Sequence, residues 1–219
     1  MIKKNILLAI DFDDTLVTKN AAQVVLNKFI PNDYKEISSK YKKGEINFRI
    51  YQEDSFKKAL EQTSILEIEE YSKNNVEIRS GFKELIDYSK NKNIKIIILS
   101  SGIKSYIEPV INNYQNNLTL IAADMEKATD SKVSFSYNDS YNIHCSNDWG
   151  ICKCKTVESL KNKNFIIYIG DGITTDFCAS QKCDVIFALD PLYNKCLKEK
   201  INAKKFEGFN NLLKYIKKL

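Results

Sequence analysis

The stretch Ile6-Leu7-Leu8-Ala9-Ile10-Asp11-Phe12-Asp13-Asp14-Thr15 decides how this chain is interpreted. Its first half is a continuous apolar run, which is typical of a parallel strand buried on both faces. Two carboxylates, Asp11 and Asp13, follow where that strand ends, and in open α/β sheets ligands bind at this edge. An extended backbone sends both side chains to the same side, with Phe12 opposite. The motif alone leaves a solvated acidic loop open as a second interpretation, because Asp is common after strands.

Two further apolar runs end in polar residues. The run at 94–99 is followed by Ser100-Ser101-Gly102, and the run at 165–169 is followed by Gly170-Asp171-Gly172, with Asp176 a little further on. The basic stretch Cys152-Lys153-Cys154-Lys155 lies between these two runs. Three predicted strands therefore end in Asp-x-Asp, in Ser, and in Gly-Asp-Gly-x-x-x-Asp, with a lysine between the last two.

This ordered set resembles the four motifs of the haloacid dehalogenase (HAD) superfamily of phosphatases. The first motif is matched by the residues 11–15, the second by Ser100, the third by Lys153 and the fourth by residues 170–176. The resemblance implies an α/β fold, with a three-layer Rossmann-like core, a mostly parallel sheet and an inserted small α-helical cap domain.

The periodicity of the remaining chain agrees with such an insertion. Residues 18–78 hold helical patterns without buried-strand runs, so we assign them to the cap and residues 1–17 and 79–219 to the core. The last cap pattern is a short segment at 65–68. Later patterns predict strands at 118–122 and 184–188, a polar hairpin over 124–143, a helix over 155–162, and a C-terminal helix carrying Phe209, Leu212, Leu213 and Ile216.

The resemblance assigns chemical roles to the motif residues. Asp11 matches the nucleophile that forms an aspartyl-phosphate, and Asp13 matches the general acid that protonates the leaving alcohol and then activates water. A hard divalent cation with oxygen ligands is implied, and Mg²⁺ is the usual occupant of phosphate sites. By resemblance, Asp11 and Asp171 supply carboxylates to the metal, and Asp13 supplies its backbone carbonyl. Ser100 and Lys153 match the groups that bind the non-reacting phosphate oxygens.

Several of these assignments have alternatives. Ser101 makes the register of the second motif uncertain by one residue, and Ser100 could simply form a turn. Lys155 competes with Lys153, and either could be a surface lysine. Asp176 matches the acid that positions the lysine or the waters of the metal, and it could equally stabilise a helix N-terminus. Supporting roles are assigned to Thr15 and Gly172.

Within the superfamily, the helical insertion resembles the phosphoserine-phosphatase-like branch. Asp14, the pair Cys152-Lys153, the stretch 186–190 and Cys196 resemble features of two subfamilies. These are the methionine-salvage phosphatases and the phosphoethanolamine/phosphocholine phosphatases. Phosphoserine phosphatases carry an acidic residue soon after the first motif, where this chain has Asn20. We therefore expect a small phosphomonoester other than phosphoserine. Arg49 in the cap could meet a substrate carboxylate, although an exposed helix arginine is the favoured interpretation.

Composition sets broader limits on function. The 33 basic and 28 acidic residues give a net charge of +5, spread without an aromatic-interleaved basic stripe. This suits an anionic small molecule and predicts no nucleic-acid partner. No apolar run approaches the roughly 20 residues of a membrane span, so no membrane partner is expected. The first residues contain no signal-peptide cleavage site, and we expect a cytoplasmic protein.

The cysteines permit one alternative metal site. His144, Cys145, Cys152 and Cys154 cluster in the sequence and could be drawn as zinc ligands. Their spacing does not match paired Cys-x-x-Cys ligands, so plain reduced thiols are favoured.

These observations predict a magnesium-dependent phosphatase that acts on a small-molecule phosphomonoester. One alternative is a phosphotransferase whose acceptor is not water. Another is a catalytically silent binding protein on the same fold. The intact set of Asp11, Asp13, Lys153, Asp171 and Asp176 argues against the silent protein, which would have no need of all five. The sequence does not predict an oligomeric state.

Overall fold

The computed structural model describes residues 5–127, 132–137 and 150–219, and its centre is a twisted sheet. Its strands are β1 (Asn5–Ile10), β2 (Lys95–Ile103), β3 (Thr119–Lys127), β4 (Val133–Ser136), β5 (Asn164–Gly170), β6 (Val185–Ala188) and β7 (Ala203–Lys205). They lie in the order β4-β3-β2-β1-β5-β6-β7, and the paired strands are parallel except β3 and β4. The predicted α/β fold with a mostly parallel sheet is confirmed.

Helices flank this sheet and fill the insertion after β1. The insertion contains α1 (Ala21–Phe29), α2 (Pro31–Lys42), α3 (Phe48–Gln62) and α4 (Ile65–Asn75). The rest of the chain contributes α5 (Phe82–Asn91), α6 (Lys104–Ile111), α7 (Lys153–Lys161), α8 (Phe177–Ser180), α9 (Leu192–Lys198) and α10 (Phe209–Ile216). The central strand β1 pairs with β2 and β5, and its apolar side chains are buried, which explains its uninterrupted apolar sequence.

The chain passes between sheet and insertion through two short adjacent segments. The N–H of Thr18 donates to the carbonyl of Glu77 at 3.0 Å, and the N–H of Arg79 donates to the carbonyl of Leu16 at 2.9 Å. These bonds tie the two crossing segments together. Because they bracket residues 18–78, they support our proposal that these residues form the cap.

Some elements differ in length from their sequence predictions. Helix α4 continues well beyond the predicted segment at 65–68. The prediction was too short because the later residues of this helix are mostly polar and show little apolar periodicity. A capping box between Ser64 and Glu67 marks its start and was a usable signal. The edge strand β7 was missed because it is short and two of its three residues are exposed lysines.

The predicted hairpin is confirmed for its described part. Strands β3 and β4 pair antiparallel, from Asp124 opposite Ser136 to Lys127 opposite Val133. The rest of the predicted range, at 128–131 and 138–143, lies outside the described residues. Within the described ranges, no helix combines the length and the apolar character that a bilayer crossing needs.

Candidate active site

The first motif forms a tight turn at the carboxyl end of β1. The N–H of Asp11 donates to the carbonyl of Ile169 in β5 at 2.9 Å, so the backbone of Asp11 is fixed to the sheet. The chain then closes on itself, because the N–H of Leu16 donates to the carbonyl of Asp11 at 3.2 Å. Asp14 adopts a left-handed conformation inside this turn, with φ of 59°, which Asp tolerates better than most residues.

Arg79 holds the turn from the outside. Its Nε donates to the carbonyl of Thr15 at 3.0 Å, and its Nη2 donates to the carbonyl of Asp14 at 2.9 Å. Arg79 belongs to none of the sequence motifs and lies 64 positions after Thr15, the nearer of its two partners in the sequence, so the sequence alone did not identify it. The junction between insertion and core therefore also shapes the first motif.

Lys153 lies at the centre of the charged residues. It is the first residue of α7 and only 2% exposed. Its Nζ donates to Oδ1 of Asp11, and it also donates to Oδ1 of Asp176 at 2.6 Å. Lys155, the competing candidate, is exposed. The structure therefore brings Lys153, and not Lys155, to the carboxylates of the first and fourth motifs.

Asp176 is a fully buried acceptor. Besides Lys153, its carboxylate accepts from the Tyr168 hydroxyl at 2.9 Å and from the N–H groups of Asp171 at 3.1 Å and Gly172 at 2.8 Å. A Cβ at Gly170 would lie 2.7 Å from its Oδ2, so that position requires glycine. Because these donors occupy both oxygens, Asp176 orients Lys153 and the loop of the fourth motif.

Burial shifts the pKa values of the acidic residues. Burial, followed by the charge of Asp176, raises the pKa of Asp171 to about 6. Burial raises the pKa of Asp13 to about 6 as well, although hydrogen bonds oppose the shift. Burial and the charge of Asp176 also raise the pKa of Asp11, against the effect of Lys153. Burial alone would lower the pKa of Lys153, but the carboxylates of Asp11 and Asp176 outweigh this effect and raise its pKa. The site therefore concentrates negative charge around one ammonium group.

Asp13 is held by a helix start and by a tyrosine. Its Oδ1 accepts from the N–H of Ala21, the first residue of α1, at 2.7 Å, and its Oδ2 accepts from the Tyr106 hydroxyl at 3.1 Å. Tyr106 is buried and stacks on Phe56 of α3, with ring centroids 5.6 Å apart. A Cβ at Gly102 would lie 1.9 Å from the Tyr106 hydroxyl, so glycine is required there. Tyr106 belongs to none of the sequence motifs and was not predicted as a site residue.

The two serines of the second motif are both buried and have different surroundings. Oγ of Ser100 accepts from the N–H of Gly102 at 2.9 Å, which leaves its own O–H to donate. The carbonyl of Ser101 accepts from Nε2 of Gln52 at 2.8 Å. Gln52 belongs to α3 and was not singled out by sequence analysis. Both serines line the same cavity.

This cavity has a volume of about 170 Å³ and lies between the sheet edge and the insertion. Its core side carries the motif residues Asp11, Asp13, Ser100, Ser101, Lys153, Asp171 and Gly172. Its insertion side carries Asn20, Ala22, Leu26, Phe48, Tyr51, Gln52 and Phe56. Among the described residues, the charged groups of the cavity wall therefore all come from the core.

The two predicted specificity residues lie in different places. Asn20 lines the cavity and caps α1, where its Oδ1 accepts from the N–H of Gln23 at 2.9 Å. Arg49 is not among the described residues that line the cavity. Its Nε donates to Glu53 at 3.1 Å, its guanidinium lies 4.4 Å from the Tyr137 ring centre, and its side chain is 37% exposed. The structure therefore brings Asn20, and not Arg49, to the cavity.

Oxygen ligands for a cation are present at the carboxylates. Oxygens of Asp11, Asp171 and Asp176 lie within 4.8 Å of one another. Asp176 is committed to its protein donors, whereas Lys153 occupies one oxygen of Asp11 and the Thr15 hydroxyl donates to one oxygen of Asp171 at 3.0 Å. Asp11 and Asp171 are therefore the better candidates to coordinate a cation.

The alternative zinc site gains no support within the described ranges. The acidic group is the one cluster of three or more His, Cys, Asp or Glu residues found there, and Cys152 and Cys154 are buried thiols outside it. His144 and Cys145 lie outside the described residues.

Comparison with known proteins relates the sequence of this chain to phosphatases. A sequence model of the family described as "Putative Phosphatase" matches residues 6–206. Two proteins named 2-hydroxy-3-keto-5-methylthiopentenyl-1-phosphate phosphatase, from two strains of Bacillus cereus, are 26% and 28% identical over 210 and 211 residues. Each match covers 95% of this chain and 94% of the relative.

Solved structures agree on the fold. A phosphoserine phosphatase with a phospho-aspartyl intermediate analogue superposes with a TM-score of 0.66 at 20% identity, covering 97% of this chain and 99% of that one. A HAD family hydrolase from Salmonella enterica serovar Typhi superposes with a TM-score of 0.69 at 17% identity, covering 96% and 71%.

Proposed function

The chain belongs to this phosphatase family within the HAD superfamily and is a phosphomonoester hydrolase, and we propose that it acts on a small ester whose only charge is its phosphate. The observation that carries the mechanism is the buried ammonium of Lys153 between Asp11 and Asp176. Such an arrangement places a carboxylate nucleophile, Asp11, next to a cation, Lys153, that can bind the phosphate oxygens.

Asp11 is the proposed nucleophile. Its backbone is fixed to β5 and one of its oxygens is held by Lys153, so the carboxylate is pre-oriented toward the cavity it lines. Its attack on phosphorus forms the aspartyl-phosphate and releases the alcohol. Water then cleaves this intermediate and releases phosphate.

Asp13 is the proposed general acid and base. It lines the same cavity, and hydrogen bonds from Ala21 and Tyr106 fix the orientation of its carboxylate. In this role it gives a proton to the leaving alcohol and later takes one from the attacking water. Ser100 and Lys153 would bind the non-reacting phosphate oxygens.

Mg²⁺ fits the acidic side of this site. The donor set consists of hard oxygens, with Asp11 and Asp171 as the carboxylate ligands and the backbone carbonyl of Asp13 as the third ligand implied by the family resemblance. Thr15 would orient Asp171 through the bond between their side chains. Bound there, the cation supplies additional neutralisation of the phosphate charge.

The cavity wall supports an uncharged leaving group. Leu26, Phe48, Tyr51 and Phe56 form an apolar and aromatic surface on the insertion side, and the volume of about 170 Å³ suits a small metabolite. The curated relatives are named for a methylthio-substituted keto-phosphate, and a thioether packs favourably against aromatic rings. Phosphoserine would bring an ammonium and a carboxylate, and burying either without a partner is costly.

A substrate panel tests this proposal. We expect kcat/KM for 2-hydroxy-3-keto-5-methylthiopentenyl-1-phosphate to exceed that for phosphoserine by about 100-fold, because an unpaired buried charge costs on the order of 3 kcal/mol. Phosphoethanolamine should also be poor, since no acidic residue of the insertion is among the described residues that line the cavity, and its ammonium would be buried without a carboxylate partner. Phosphoserine as the best substrate would contradict the proposed specificity.

The same assay tests the metal and the acceptor. Chelation should abolish phosphate release, and Mg²⁺ should restore it, whereas Ca²⁺ should support little turnover because it accepts more ligands at longer distances. Full activity in chelator would contradict the metal assignment.

Recovery of a phosphorylated alcohol in place of inorganic phosphate would identify a phosphotransferase.

Tyr106→Phe should lower kcat with little change in KM. The variant keeps the ring that stacks on Phe56 but loses the bond to Asp13, so we expect a decrease of about tenfold. The decrease in kcat/KM should shrink with p-nitrophenyl phosphate, because kcat/KM reports formation of the aspartyl-phosphate and this leaving group needs no proton. Tyr114→Phe is the matched control, because Tyr114 packs edge-on against Phe82 outside the cavity wall. Equal losses with both types of ester would argue against a role of Tyr106 in positioning Asp13.

A further inference from the structure

Two buried polar atoms, each in a residue that lines the cavity, have no hydrogen-bond partner among the described residues. They are Oε1 of Gln52, a residue 4% exposed, and Oγ of Ser101, a residue 7% exposed. Both residues line the cavity. An unpaired buried polar atom destabilises a protein, so two of them beside a ligand cavity point to a ligand group that completes their hydrogen bonds.

Chemistry fixes the orientation of the Gln52 amide. Its nitrogen donates to the carbonyl of Ser101 at 2.8 Å. A backbone carbonyl can only accept, so the amide NH₂ group must face it and Oε1 must take the other side. Gln52 therefore presents an acceptor, while the hydroxyl of Ser101 can donate or accept.

The position of this pair on the wall indicates where on the substrate its partner lies. Ser101 directly follows Ser100, the proposed phosphate ligand, so the pair lies at the phosphate end of the cavity. The other insertion-side residues named above, Phe48 and Phe56 among them, are mostly apolar. A polar substrate group that meets Gln52 must therefore be close to the phosphoester.

We propose that Gln52 and Ser101 bind a hydroxyl on the carbon next to the phosphoester carbon. The substrate hydroxyl donates to Oε1 of Gln52 and accepts from the hydroxyl of Ser101, which completes both buried groups. This inference rests on the proposed function and narrows its substrate class to 2-hydroxyalkyl phosphates and their unsaturated relatives. The substrate named for the curated relatives carries a 2-hydroxyl and a 1-phosphate.

Two synthetic esters that differ by one hydroxyl test the assignment. The probes are 2-hydroxypropyl phosphate and n-propyl phosphate, and the measured quantity is the ratio of their kcat/KM values. Gln52→Met should lower this ratio about tenfold, because methionine has a similar shape but cannot accept the hydrogen bond. Comparing a ratio removes any general effect of losing the bond between α3 and Ser101, which would slow both esters equally.

Two further variants complete the experiment. Ser101→Ala leaves the backbone bond to Gln52 in place and should also lower the ratio, which keeps the test valid if Gln52→Met does not fold. Ser55→Ala is the matched control, since Ser55 is another buried side chain of α3 that has no hydrogen-bond partner among the described residues and is not among those that line the cavity. It should keep the wild-type ratio.

The outcomes separate this inference from the proposed function. If the wild-type enzyme hydrolyses the esters and Gln52→Met or Ser101→Ala slows both by the same factor, the hydroxyl-binding role is refuted. That result for Ser101→Ala would place Ser101 at the phosphate. If the wild-type enzyme with Mg²⁺ releases phosphate from none of the small esters tested, the proposed function itself fails.

Discussion

Asp11→Asn is expected to abolish phosphate release, with a loss of at least about 10⁴-fold, because an amide cannot form the acyl-phosphate. The fold should persist. The backbone bond from Asp11 to Ile169 does not involve the side chain, and neutralising one carboxylate relieves its repulsion with Asp171 and Asp176. Steady-state phosphate release and thermal unfolding of the same preparation measure the two effects.

Asp13→Asn provides the mechanistic contrast to this variant. With p-nitrophenyl phosphate it should still release nitrophenol in a first turnover, because that leaving group needs no proton, and then stall as water attack loses its base. Asp11→Asn should show no such first turnover. Substantial Mg²⁺-dependent hydrolysis by Asp11→Asn would mean that another group is the nucleophile.

The fold and the motif residues could be predicted because they depend on local sequence. A continuous apolar run identifies a buried parallel strand, and the carboxyl ends of parallel strands meet at one edge. Residues that follow β1, β2 and β5 therefore gather without any knowledge of distant contacts. Which of Lys153 and Lys155 faces the site depends on where α7 begins. Residues two apart in a helix lie on nearly opposite faces, so only one of the two lysines can point to the carboxylates.

The residues that sequence analysis missed depend on contacts between distant segments. Tyr106 reaches Asp13 across 93 positions, and Gln52 reaches Ser101 across 49. Neither belongs to a motif, and each lies on a helix whose orientation is set by tertiary packing. Arg49 shows the converse, because a charged cap residue of plausible type is used in a surface ion pair with Glu53.

Lys153→Met is expected to remove both activity and stability. In the metal-free variant, Asp11 and Asp176 are left as buried carboxylates without the lysine that pairs with both, and breaking a buried pair in this way costs about 3–5 kcal/mol. Activity should fall by about 10³-fold, since a cation that neutralises phosphate oxygens contributes energy of this order. Chemical denaturation and kcat/KM measure the two losses.

A matched set of variants separates the two roles of Lys153. Lys155→Met makes the same substitution on an exposed position of the same helix, and surface changes of this kind alter stability by no more than about 0.5 kcal/mol. Adding Asp176→Asn to Lys153→Met should recover part of the lost stability, because it removes one of the two unpaired carboxylates. It should recover no activity, because the phosphate still lacks its cation. A Lys155→Met enzyme that is inactive beside an active Lys153→Met enzyme would reverse the assignment of the third motif.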